Sequence, residues 1–365
     1  MAERRKPGRV DSLASLNSPG TRKALPRYRS IILDGLPARF QIARRILFEP
    51  GSGMSSQAMW REHAKLMRKF KQAQTMVDMR KLDISELEVP RFSLMDLKTK
   101  LAEDVMRDCA MCEHRCGVDR TAGERGICGA GTELRLTGSH VRTDYEPELT
   151  PAFSIFCAGC TMSCVYCKNP AGNSDASAGT AWPEGKVARW VEEQHKAGCR
   201  TLNIMGGEPT LYVLSLLKVL RACRANTPVV FNSNAYLSEK AMELLDGVVD
   251  VYLFDLRYFN DDCARVLSSA PRYAEAAKRS HLLAKMRAEV IVRVLLLPDH
   301  LDCDAKPALK WIKDNLGPWT RVNILGGYEP GFRAREFMGM NRLLLPEERG
   351  EVVAYAKKIG LKNLV

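Results

Sequence analysis

Six β-rich runs, each followed by a stretch of helical periodicity, leave this chain few architectures to choose from. The runs fall at residues 153–156, 201–205, 229–232, 250–255, 290–296 and 321–325. Helical patterns occupy 186–197, 212–225, 238–245, 272–288 and 306–315, with a terminal helix at 346–359. Such alternation specifies a parallel sheet with right-handed crossovers, since each helix must return the chain to the starting end of the sheet. Six strands are too few for the usual closed eight-stranded barrel. The expectation is therefore an α/β fold, an open (βα)6 partial TIM barrel, with its chemistry at the C-terminal ends of the strands.

That barrel accounts for residues 151–365, and three further segments precede it. Residues 1–53 mix Arg, Pro, Gly and Ser with short apolar runs and read as a basic, largely disordered extension. Across 54–104, Met59, Trp60, Ala64, Met67, Phe70 and Val77 recur at helical spacing, which makes an amphipathic helix whose Met-rich stripe either packs on the barrel or docks a partner. Residues 105–150 form a cysteine-rich, metal-binding module.

The net charge of +12 is unevenly placed: the first hundred residues carry 21 Lys+Arg against 10 Asp+Glu, and the remaining 265 carry 34 against 33. A nearly neutral body disfavours a nucleic-acid partner, although a basic extension on an iron–sulfur or zinc protein would be the form such binding took. The extension could instead steer an acidic partner. No apolar run approaches bilayer length, so no membrane span is expected, and the Arg-rich start lacks the apolar stretch of a secretory signal. A cytoplasmic enzyme is the expectation. The Arg- and Ser-rich, acid-poor first 45 residues would also suit a mitochondrial presequence.

Eight of the twelve cysteines sit in two tight clusters, a spacing that favours metal over disulfides in a chain large enough to bury a core. Cys199, Cys223, Cys263 and Cys303 are scattered through helix-like segments and read as small buried hydrophobes. The first cluster is Cys109-x2-Cys112-x3-Cys116-x11-Cys128, whose four thiolates suit either a structural zinc or a second [4Fe–4S] cluster. The second follows the first strand: Cys157-Ala-Gly-Cys160-Thr-Met-Ser-Cys164-Val-Tyr-Cys167. Its triad Cys160, Cys164 and Cys167 offers three thiolates to a cubane [4Fe–4S] cluster and leaves one iron free. A zinc knuckle using Cys157 as well would be cramped, because zinc ribbons separate their CxxC pairs by many more residues. Cys157 reads as a strand-end residue near the cluster.

The spacing Cx3CxΦC, with Tyr166 as the aromatic before the last cysteine, resembles the signature of the radical S-adenosylmethionine superfamily. Gly206-Gly207-Glu208-Pro209 at the end of the second strand matches that family's GGE motif. The resemblance implies that S-adenosylmethionine chelates the open iron, that reductive cleavage gives a 5′-deoxyadenosyl radical, and that the radical abstracts hydrogen from substrate. It implies cofactor contacts at Tyr166, Gly206, Gly207, Glu208 and Pro209, with Glu208 at the methionine end, and at Asn234 and Asp255 on the third and fourth strand ends. Relatives also hold a monovalent cation there, which maps onto Asn232, Ser233, Leu253 and Asp255. Cys167-Lys168-Asn169-Pro170 and Asp255-Leu256-Arg257 are similar to segments of glycyl-radical activating enzymes. The upstream cysteines, Gly327-Tyr328-Glu329-Pro330 and Met340-Asn341-Arg342 resemble homologues of pyruvate formate-lyase activating enzyme. The implied partners are a protein or peptide substrate and a one-electron reductant such as flavodoxin or ferredoxin; radical modification of a small molecule is the alternative. No catalytic acid or base is readable, and none is required when the cofactor abstracts the hydrogen.

Overall fold

The computed structural model describes residues 12–365. Its strands are β1 (Arg135–Arg142), β2 (Ala152–Cys157), β3 (Thr180–Ala181), β4 (Thr201–Gly206), β5 (Val229–Ser233), β6 (Val251–Leu256), β7 (Glu289–Leu295) and β8 (Arg321–Leu325). They form one sheet in the order β3-β1-β2-β4-β5-β6-β7-β8. From β2 to β8 all pairings are parallel, which gives the six expected strands of an open partial barrel. The antiparallel strands β1 and β3 extend the β2 edge and have no counterpart in the alternating pattern.

Fourteen helices surround the sheet among the described residues. Ahead of it lie α1 (Ser12–Asn17), α2 (Pro19–Ala24), α3 (Pro26–Asp34), α4 (Arg39–Ala43), α5 (Ser56–Asp78) and α6 (Leu94–Arg107). Within it follow α7 (Pro170–Asn173), α8 (Glu184–Lys196), α9 (Val213–Ala222), α10 (Glu239–Leu245), α11 (Asp261–Ser268), α12 (Tyr273–Arg287), α13 (Lys306–Asn315) and α14 (Pro346–Lys358). Among the described residues, no helix is long and apolar enough to cross a membrane.

Because side chains alternate along a strand, every second residue points into the barrel. The interior is layered. At the bottom Val230, Val251, Leu253 and Ile291 form an apolar cluster; above them Arg293 on β7 and Asn323 on β8 bond to Glu146; at the top Phe156, Met205, Asp255 and Leu295 line a cavity. Glu146 and Glu148 come from the turn before β2. Glu146 meets the Arg293 guanidinium with two 2.6 Å bonds, and Glu148 meets Arg321 of β8 at 2.7 and 3.1 Å.

Residues 12–53 depart from the expected disorder. Leu16 of α1, Ala24 of α2, Leu25 and Tyr28 join the bottom layer of the barrel and seal its floor. The Tyr28 hydroxyl donates to the Glu148 carbonyl at 2.9 Å. Helix α3 has no side-chain cap of its own; the Glu289 carboxylate of β7 accepts from Arg27 N at 2.6 Å and Tyr28 N at 2.8 Å and so caps it from across the fold. Several basic residues here are structural rather than free to steer a partner. Arg27 pairs with Asp78 and Asp250, and Arg44 and Arg45 donate to the Cys223 and Leu87 carbonyls. The basic residues at positions 4–9 lie outside the described residues.

Helix α5 buries Met59, Leu66, Met67, Phe70 and Val77 in the main core, against α4 and α6. Phe70 reaches Gly247, where a Cβ would lie 3.1 Å from its ring. The Met-rich stripe is therefore internal packing.

A docked floor makes two outcomes testable. Tyr28→Ala should cost about 3–5 kcal/mol in urea unfolding, the usual loss for a large buried aromatic, whereas an undocked extension would show no change. Burial pushes the Glu289 carboxyl from 4.5 up to about 7, against the pull of the Tyr28 and Arg27 backbone N–H groups. The folded state therefore holds a proton that the unfolded state releases, and this contribution to stability fades as pH rises from about 4.5 through about 7. Glu289→Gln should flatten the fall in melting temperature across that window.

Candidate active site

Residues 158–169, which leave β2 at the rim of the barrel, carry Cys160, Cys164 and Cys167. The segment crosses the end of β4 so closely that any Cβ on Gly207 would overlap the Gly159 carbonyl, and one on Gly206 would overlap the Cys157 backbone. Gly206 also has φ +117°, a region that side chains avoid. The two glycines thus admit a neighbouring backbone, a reason independent of any cofactor, while both still line the cavity.

The cysteine segment is fixed on its other side by α11. Ser163 N and Val165 N donate to the Ser268 and Leu267 carbonyls at 2.9 Å each, which satisfies acceptors left over at that helix's C-terminus. Tyr166 adds a chain of hydroxyls, 2.6 Å to Tyr258 and from there 2.7 Å to Ser268. Tyr166 itself lines the cavity, whereas Tyr258 and Ser268 do not.

All three cysteines line one cavity of about 590 Å³ together with Tyr166, Gly206, Gly207 and Asp255. Each sulfur has an N–H donor from another part of the chain. Asn234 Nδ2 lies 3.7 Å from Cys160 Sγ, Arg257 Nη1 lies 3.1 Å from Cys164 Sγ, and Asn173 Nδ2 lies 3.2 Å from Cys167 Sγ. Arg257 is held in place by Asp255 at 2.7 Å. Burial, then Cys164 and Glu208, push the Cys160 thiol upward, so placing a metal on this sulfur would release a proton. Nothing in the sequence singles out Asn173. Arg257 could be noticed only as part of Asp-Leu-Arg.

Glu208, Pro209 and Asn234 do not line the cavity. Glu208 is buried, and its carboxylate is consumed internally: Oε1 accepts from Thr210 N, Thr210 Oγ1 and Ser233 Oγ at 3.1, 2.6 and 2.8 Å, and Oε2 from Asn234 N at 2.9 Å. Burial pushes its carboxyl upward while these donors pull it back. Glu208 thus brackets the ends of β4 and β5. Pro209 opens the short turn Pro209–Tyr212. Cys157 is fully buried in the strand end. Where the family resemblance implied a monovalent ion, two of the residues already face guanidiniums: Arg257 meets Asp255, and Arg293 Nη1 donates to Asn232 Oδ1 at 3.3 Å.

The upstream cysteines pack against this site. Glu113 N donates to the Tyr236 carbonyl and Ser238 N to the Met111 carbonyl, both at 3.2 Å, which anchors the module on the loop after β5. His114 Nε2 lies 2.7 Å from the Thr161 carbonyl, next to Cys160. Burial, followed by repulsion from Cys128, Cys109 and Cys116, pushes the Cys112 thiol up to about 12. Gly126 abuts the Cys116 sulfur with no room for a side chain.

Residues 154–312 match the family model of the Radical SAM superfamily. The chain is 36% identical over 348 residues to an uncharacterized protein of Methanocaldococcus jannaschii, across 92% of this chain and 98% of the other. It is 26% identical over 226 residues to the pyruvate formate-lyase-activating enzyme of Listeria monocytogenes, across 57% of this chain and 88% of that one. Among solved structures, Streptococcus suis SuiB bound to its precursor peptide SuiA aligns with a TM-score of 0.46 at 15% identity, over 58% of this chain and 47% of the SuiB chain.

If Glu208 is a bracket, Glu208→Ala should leave the Thr210, Ser233 and Asn234 donors unpaired and lower stability by about 3 kcal/mol. Chemical denaturation checks this; unchanged stability with weakened cofactor affinity would restore the direct contact.

Proposed function

The chain belongs to the radical SAM superfamily, and from that premise we propose that Cys160, Cys164 and Cys167 hold a [4Fe–4S] cluster on the cavity wall, with S-adenosylmethionine beside it, to act on a protein or peptide. The observation that carries this reading is the set of three sulfurs on one wall, each with an N–H donor. When bound, the cluster and cofactor supply reductive cleavage to a 5′-deoxyadenosyl radical.

The chain's own residues do the rest. Asn173, Asn234 and Arg257 direct N–H groups at the thiolates and offset their negative charge, and hydrogen bonds to cluster sulfurs are one of the means by which a protein sets reduction potential. Asp255 keeps Arg257 aimed at Cys164. Phe156, Met205 and Leu295 present apolar walls to the cavity.

A macromolecular substrate is supported by the rim. Phe332 lines the cavity and is half exposed, so an apolar side chain flanks the mouth where a peptide segment would enter. The name of the Listeria relative supports activation of a glycyl-radical protein as the finer reading. A flavodoxin or ferredoxin is the proposed electron donor. Four thiolates at Cys109, Cys112, Cys116 and Cys128 suit either a second [4Fe–4S] cluster or a structural zinc.

Anaerobic reconstitution followed by a 5′-deoxyadenosine assay tests the central claim. Alanine at Cys160, Cys164 or Cys167 should abolish product, and Cys157→Ala should not; a Cys160 variant that retained cluster and cleavage would overturn the assignment. Replacing the four upstream cysteines together should remove about four irons per chain if they hold a second cubane, read by elemental analysis. Loss of zinc with unchanged iron would assign that module to zinc.

A further inference from the structure

Two cysteines with no expected role, Cys263 and Cys303, meet in space. Cys263 lies in the first turn of α11, after β6, and Cys303 lies in the π-helical turn Leu301–Ala305 that leads from the loop after β7 into α13. Their sulfurs are 3.9 Å apart and unbonded. His300 Nδ1 approaches Cys303 Sγ at 3.5 Å and Asp304 Oδ2 at 3.6 Å, and Cys303 Sγ lies 3.7 Å from Asp304 Oδ2. Among the described residues this is the one group of three or more His, Cys, Asp and Glu whose ligand atoms all lie within 4.8 Å of one another.

We propose that Cys263, His300, Cys303 and Asp304 form a binding site for a single zinc ion, separate from both cysteine clusters. A tetrahedral zinc with bonds of about 2.3 Å to sulfur and 2.0–2.2 Å to nitrogen or oxygen separates neighbouring ligand atoms by about 3.3–3.8 Å. Four of the separations among these donors, 3.5 to 3.9 Å, fall within or just above that spacing. Two thiolates, an imidazole and a carboxylate are a donor set that zinc accepts, and they fill all four positions, which makes the site structural.

The surroundings are those of a built site. Asp304 is buried, and its other oxygen, Oδ1, accepts from Phe259 N at 2.6 Å and Asn260 N at 2.8 Å. These bonds orient the carboxylate so that Oδ2 faces the other three donors, as outer partners of metal ligands do. Cys263 stands in the first turn of α11, on the side that meets the loop after β7. The π-turn stacks His300, Cys303 and Asp304 on one side; such turns recur at functional positions. The ion would staple the loop after β6, which carries Arg257, to the loop after β7. This inference does not rest on the radical reading, since the four donors are distinct from the cavity residues.

The test is zinc and iron analysis of the full-length protein, reconstituted anaerobically, given stoichiometric zinc chloride and desalted. Wild type should hold one zinc per chain more than Cys263→Ser, Cys303→Ser or His300→Ala, with equal iron in all four. The His300 variant spares both thiols and keeps the comparison valid if a serine variant fails to fold. In wild type, chelation should lower the melting temperature and remove that zinc, and the same treatment should not shift the His300 variant. Equal zinc in wild type and the variants overturns the proposal, as does a Cys263–Cys303 disulfide in protein kept anaerobic and alkylated before mass analysis.

Discussion

Glu146 and Glu148, two carboxylates in the turn before β2, reach across the open barrel to guanidiniums on β7 and β8. An open parallel sheet has two edges that hydrogen bonding alone does not bring together. Here the ion pairs span that opening, and removing one partner from such a buried pair would strand a charge at a cost of about 3–5 kcal/mol. Although burial raises the Glu146 carboxyl, Arg293 and Asn323 more than offset it and hold it below its ordinary value. The same Arg293 forms part of the cavity wall and also donates to Asn232 of β5. The span of the barrel and the polarity of its cavity therefore share one guanidinium.

Above that belt, the site is assembled from segments that cannot hold their shape alone. The cysteine segment borrows hydrogen-bond acceptors from the end of α11 and close backbone contact from β4. Its sulfurs take donors from α7, from the loop after β5 and from the loop after β6. Such a site is pre-organised by contacts distant in sequence, so it should form only once the sheet is complete.

The strands and helices of the barrel were legible because their signal is local: period two, period 3.6 and the punctuation between them. The position of the cysteine triad at the first strand end was legible for the same reason. Helices α1–α4 were not, because the groups that stabilise them, Glu289, Asp250 and Glu148, lie more than a hundred residues downstream. Glu208 was placed correctly at a strand end, but its role as a bracket to the neighbouring strand was not legible, because Ser233 and Asn234 lie 25 and 26 residues away. Cys263 and Cys303, forty residues apart in sequence, look like isolated buried thiols until the loops after β6 and β7 bring them together.

With Leu16, Leu25 and Tyr28 sealing its floor, the barrel is a well rather than a tube. Molecules in a well must pass one another or take turns. A small occupant at the cysteine level would find no exit through the floor that residues 12–53 build, and a large one over the rim would stand in its path.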